Sequence, residues 1–231
     1  MAIPAVESFA RVGGLHYVYA EASEKGYSEY LKASSEVEAI GNVEYDEKLE
    51  DIKHRRDVAG LQAIVFSAMS FEAAIYDFAS VHLGDDYVGD HLDRLDVLSK
   101  WLVVLRFVTG VELPKGEAPY GALKSLVFER NRLVHSKSES FDFENQERQF
   151  AKVMKREREF EVNVHNSFRA LVLMSLYLDK SLEGHHNPLP SYDKRNAPMR
   201  RYYAELKSVI EECRNVVGKI GRSKQFITDE V

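Results

Sequence analysis

The chain has 231 residues, 45% of them hydrophobic and 29% charged, with a formal net charge of −6 and a pI near 5.8. That is enough apolar material for a full core without a metal or disulfide staple, in one domain or two. The acidic balance excludes broad binding along a nucleic-acid duplex, which calls for a basic face, yet it leaves room for a local basic pocket that takes one phosphate.

Cys213 is the only cysteine, so neither an intrachain disulfide nor a CxxC zinc site can form, and a reducing cytoplasm is the expected compartment. Met1-Ala2-Ile3-Pro4-Ala5 lacks the basic region and apolar run of a signal peptide. The longest apolar run, residues 101–105, is cut by Arg106 and is too short for a bilayer. A membrane partner is therefore not expected.

In chain order, residues 5–40 read as weakly patterned helix interrupted at Gly13-Gly14 and Gly26, with Gly41-Asn42 closing an N-terminal region of residues 1–42. Residues 43–83 read as one long helix, or two broken near Gly60. Its second half carries the stripe Leu61, Ile64, Val65, Ala68, Met69, Ile75, Tyr76 and Ala79, with Glu72 in its middle. A carboxylate on such a face needs a partner. Gly84 ends the helix, and residues 86–108 predict another, with Leu92, Leu95, Leu98, Leu102 and Leu105 on its apolar side. A Pro/Gly loop precedes a helix over residues 120–137. After a polar break, residues 143–182 predict a helix long enough to reach beyond one bundle. Residues 183–231 hold a His185-His186 loop, an amphipathic helix over 198–217 and a polar tail. The chain is expected to be all-α, with residues 43–182 as its central bundle.

The chemistry concentrates in Phe128-Glu129-Arg130-Asn131-Arg132-Leu133-Val134-His135-Ser136. Arginine holds a phosphate in fixed geometry, and histidine moves a proton near neutral pH. On a helical wheel Leu123, Leu126, Val127 and Val134 define a buried side with Arg130 in its middle and Arg132 opposite. Asn131 and His135 share the stripe's edge. Glu72 and Arg130 are opposite charges on two apolar stripes, and the economical expectation is that they pair inside the bundle. Arg130 and His135 stand about 140° apart on an ideal helix, so they form half a cleft more readily than a whole one. His185-His186 has no clear third ligand, and neither metal nor cofactor is expected.

The Arg-Asn-x-x-x-His element at Arg130-Asn131-Arg132-Leu133-Val134-His135 resembles the signature of HEPN domains. The layout before it agrees: Phe71-Glu72-Ala73-Ala74-Ile75, then Leu95-Asp96-Val97-Leu98-Ser99-Lys100-Trp101, then a Gly/Pro loop. The resemblance covers about residues 55–180. It implies an up-and-down helical bundle with long helices and a C-terminal helical extension, dimeric, with two motifs facing across the interface. It further implies a metal-independent endoribonuclease of a toxin or antiphage system, acting by 2′-hydroxyl attack on the adjacent phosphodiester. His135 would be general base or acid and Arg130 would stabilise phosphate charge. Asn131 would orient the histidine or the RNA, Glu72 would orient Arg130, and Lys124, Arg132 and Lys137 would contact the RNA backbone. An antitoxin or regulatory protein is an implied partner, although Lys137 stands where some members carry a modifiable tyrosine. The alternative is an inactive module of the same family that binds RNA, nucleotide or protein.

Overall fold

The computed structural model describes residues 4–6, 11–41, 47–140, 142–182 and 185–221. Its elements are helical throughout: α1 (His16–Ile40), α2 (Glu47–Leu83), α3 (Asp85–Tyr87), α4 (Val97–Thr109), α5 (Ala118–Val134), α6 (Gln146–Ser181) and α7 (Lys207–Lys219). A π-turn, Val88–Leu92, follows α3, and a short 3₁₀ turn, Ala204–Leu206, precedes α7. No strand occurs among the described residues. The chain is all-α.

α1 and α2 form an antiparallel hairpin. Ser23 Oγ lies 2.6 Å from Ser67 Oγ, Ser70 Oγ donates to the His16 carbonyl at 2.8 Å, and Arg55 pairs with Glu36 at the far end. Two glycines expected to interrupt helices instead let helices touch. A Cβ on Gly26 would stand 3.0 Å from the Ala59 carbonyl oxygen, and one on Gly60 would stand 2.8 Å from Val164 Cγ2. α1 is therefore continuous through Gly26 and α2 through Gly60, because bare backbone at those positions permits the close approach of α1 to α2 and of α2 to α6. Gly84 and Gly110 do end helices, each with positive φ (87° and 73°), a conformation that L side chains resist.

The helix expected over residues 86–108 is in fact two pieces. After the π-turn the chain breaks, and Asp96 restarts it as N-cap, its Oδ1 accepting from Ser99 N at 3.0 Å. The wide turn shifts the helical phase. Trp101, Val104, Leu105 and Val108 are consequently buried, while Leu95, Leu98 and Leu102 are only half-buried. Residues 198–203, expected to be helical, are irregular, because Arg200 is drawn onto Glu24 and α7 starts only at Lys207.

One core takes residues from α1 through Ile220. Trp101 sits against Phe71 and donates its indole N–H to the Phe71 carbonyl at 3.2 Å. α5 runs antiparallel along α6, with Asn166 Nδ2 donating to the Ala122 carbonyl at 3.0 Å. The C-terminal half of α6 is almost wholly buried, whereas residues 150–159 are exposed and extend past the bundle. Among the described residues, the one helix long and apolar enough to cross a membrane, by length and composition, is α2. Of its apolar window, 56% is buried within the protein. The N-terminal residues 1–3 and 7–10, residues 42–46, Phe141, residues 183–184 and the tail 222–231 lie outside the described residues.

Candidate functional site

α5 begins with Pro119 in its first turn, where the missing N–H costs nothing, and ends at Val134 with His135 as C-cap (φ −102°, ψ 16°). Its inward side is Pro119, Ala122, Leu123, Leu126 and Glu129, with Leu133 half-buried. The wheel reading therefore needs correcting. Val134 is exposed, Arg130 sits at the edge of the buried stripe, and Glu129 takes the inward position.

A buried carboxylate requires a partner, and Arg132 supplies it. Arg132 Nε and Nη2 donate to Glu129 Oε2 and Oε1 at 2.8 and 2.6 Å, a bidentate fork that raises the arginine pKa through these hydrogen bonds. Arg132, expected on the solvent side as an RNA-backbone contact, is half-buried and committed to this pair. The signal in the sequence was the spacing Leu126, Glu129, Leu133, which puts the acid on the apolar stripe, with Arg132 one turn on.

Glu72 and Arg130 do come together. Arg130 Nη2 lies 3.7 Å from Glu72 Oε2, too long for a hydrogen bond, and the side chains remain 33% and 46% exposed. The expectation of a pair inside the bundle is corrected to a pair at the rim of a groove. Arg130 is steadied from the other side by Asn131, whose Oδ1 accepts from Nη1 at 3.0 Å. The groove has a volume of about 330 Å³ and is bordered by Glu72, Asp93, Asp96, Lys100, Arg130 and Asn131. Lys100, missed from sequence, is buried with its Nζ 3.6 Å from Asp93 Oδ1. The groove's border thus carries three carboxylates against two cations.

His135 does not line that groove. Its backbone N–H donates to the Asn131 carbonyl at 3.1 Å, while its ring is exposed and makes no hydrogen bond or ion pair among the described residues. Lys124, Phe128, Asn131 and His135 recur at helical spacing and are all exposed, so α5 presents one unpartnered stripe with the motif histidine at its end. Phe128 is 69% exposed in the middle of it. Lys137 is exposed in the irregular segment after α5. The arrangement provides a fixed guanidinium in a groove and a free imidazole at the neighbouring helix end. No three His, Cys, Asp or Glu side chains converge to hold a metal among the described residues.

With this geometry in hand, comparison with protein-family models, curated proteins and solved structures returns no match to the chain.

Proposed function

We propose that the chain is a HEPN-like, metal-independent endoribonuclease that works as a homodimer in the cytoplasm, in a toxin or antiphage setting and under the control of a regulatory partner. One observation carries the reading: Arg130 is held at a groove rim between Glu72 and Asn131, while the His135 ring on the same helix stands free. The exposed α5 stripe is a natural face for a second copy, because Phe128 is a large apolar group left in water beside the motif. Pairing two α5 stripes would bring two histidines together in one cleft, with each Arg130 beside Asn131 at the stripe's edge.

In that cleft the RNA 2′-hydroxyl attacks the adjacent phosphorus. One His135 takes the hydroxyl proton, the 5′-oxygen leaves, and the second copy's histidine protonates it, giving a cyclic phosphate and a free 5′-hydroxyl. Arg130 stabilises the charge that builds on the phosphate oxygens. Asn131 and Glu72 hold the guanidinium, and Lys124 and Lys137 serve the RNA backbone. Arg132 contributes only through its outer face, since its Nε and Nη2 are engaged by Glu129.

The test is RNA cleavage in EDTA. Wild type is expected to cleave, and Arg130→Ala and His135→Ala to lose at least about 100-fold. Cleavage that survives both substitutions removes the site, and cleavage abolished by EDTA removes the metal-free mechanism. The excess of carboxylates at the groove favours a second reading, a non-catalytic module of the same family that grips a cationic segment of a protein partner. That reading expects no cleavage and partner binding that is lost in Glu72→Lys.

A further inference from the structure

Away from the motif, the start of α1 meets α2 in a second constellation. His16 Nδ1 lies 3.1 Å from Asp77 Oδ2, with both side chains mostly shielded. Arg11 Nε stands 3.9 Å from the other Asp77 oxygen and its guanidinium also bonds Asp85. Gly14 packs so tightly here that a Cβ would sit 3.2 Å from Asp77 Oδ2. The His16 carbonyl is pinned to α2 by Ser70. The dyad is therefore fixed from both sides. It opens on a cavity of about 370 Å³ walled by Tyr17, Ala74, Phe78, Val81 and Pro188, with His186 at its edge.

We propose that this cavity is a binding site for a small, uncharged aromatic molecule bearing one O–H or N–H donor, read by His16 Nε2. The carboxylate accepts a hydrogen bond from Nδ1–H and so fixes the tautomer, leaving the Nε2 lone pair as an acceptor. Nε2 makes no hydrogen bond among the described residues. Burial holds the imidazole below its usual pKa, outweighing Asp77, so the ring is neutral and accepting at neutral pH. The wall chemistry sets the rest of the ligand. Apolar and aromatic side chains with one convergent polar atom are the ordinary make-up of a small-molecule pocket, and the volume falls within the usual range. Arg11 is already balanced by two aspartates, which removes any call for an anion. Among the described residues no Ser, Thr or Cys lines the cavity, and the proposal is one of binding.

The experiment uses the full chain with phenol and its methyl ether anisole, which has the same ring without the donor. Imidazole ¹⁵N–¹H spectra report on His16. Phenol is expected to move the His16 Nε2 resonance and to bind about 10-fold more tightly than anisole. Asp77→Asn, which keeps the shape and removes the carboxylate, and His16→Phe, which keeps a ring and removes the acceptor, should each abolish that preference. A His16 resonance unmoved by phenol, equal affinities for the two probes in wild type, or a preference that persists in either variant overturns the proposal.

Discussion

Glu24 and Glu72 are both acids midway along long helices, and each meets an arginine from a distant segment, yet the two regions behave differently. Glu24 on α1 is 5% exposed. It pairs with Arg200 and accepts from the Tyr192 hydroxyl at 2.6 Å. Arg200 is further covered by the Tyr192 ring, 4.4 Å from its guanidinium carbon, and donates to the Ser191 carbonyl at 2.9 Å. Glu24, Arg200 and the Tyr192 hydroxyl are spent on docking residues 190–203 onto the bundle. Glu72 and Arg130 touch at 3.7 Å across an open groove, and donor capacity remains on the guanidinium. The tight pair is architecture. The loose pair leaves a charge positioned but available, which is what a ligand site needs.

The sharpest way to break this contrast is Glu24→Ala. It strands a largely buried Arg200 and removes the acceptor of Tyr192, and it should cost about 3 kcal/mol in denaturant unfolding. An unchanged midpoint would show that the network fastens nothing. Glu129→Gln is the intermediate case. Arg132 keeps partial access to water, so losing the bidentate pair should cost about 2 kcal/mol by the same measurement. A cost equal to that of Glu24→Ala would mean that Arg132 is less able to rehydrate than its exposure implies.

Histidines extend the comparison to groups that give up their charge. Burial pushes the pKa of His16, His165 and His185 below the ordinary histidine value of 6.5, and Tyr27 lies 2.6 Å from His165 Nδ1. For each, the unfolded chain binds more protons below pH 6.5 than the native state does. Their contribution to stability is complete above that pH and declines as pH falls from 6.5 toward the lowered native values. The thermal midpoint should drop across that window by a smaller amount than either carboxylate variant produces. A flat profile would refute the neutral assignment.

The parts legible from sequence were those set by local spacing: the all-α class, the ends of α2 and α4 at Gly84 and Gly110, the Arg130-Asn131 adjacency, and Glu72 as Arg130's partner. What failed did so where distant packing overruled spacing. Gly26 and Gly60 looked like breaks because the neighbouring helix that requires them is not visible in the local pattern. The leucine rhythm of 92–105 found the buried Leu92 and Leu105 but placed Leu95, Leu98 and Leu102 deeper than they lie, because the π-turn moves the phase between Leu92 and Trp101. Glu24 drew no attention, since its partner lies 176 residues away. Glu129 was passed over because an acid between Phe128 and Arg130 reads as surface, although its register with Leu126 and Leu133 turns it inward. The His16–Asp77 dyad joins residues 61 apart and has no linear signature.

The smallest expected stability change is the most informative about the motif. Arg130 is one-third exposed and its contact with Glu72 is long, so Arg130→Ala should alter stability by no more than about 0.5 kcal/mol. Asn131 loses one donor but stays in water, and Glu72 rehydrates freely. Among the described residues, the same substitution removes the only cation that faces solvent at the groove border, because Lys100 is buried against Asp93. A folded, equally stable variant that has lost RNA cleavage would separate function from architecture at this position. A loss of several kcal/mol would make Arg130 a structural residue like Arg200, and the distinction between the tight and the loose pair would fall with it.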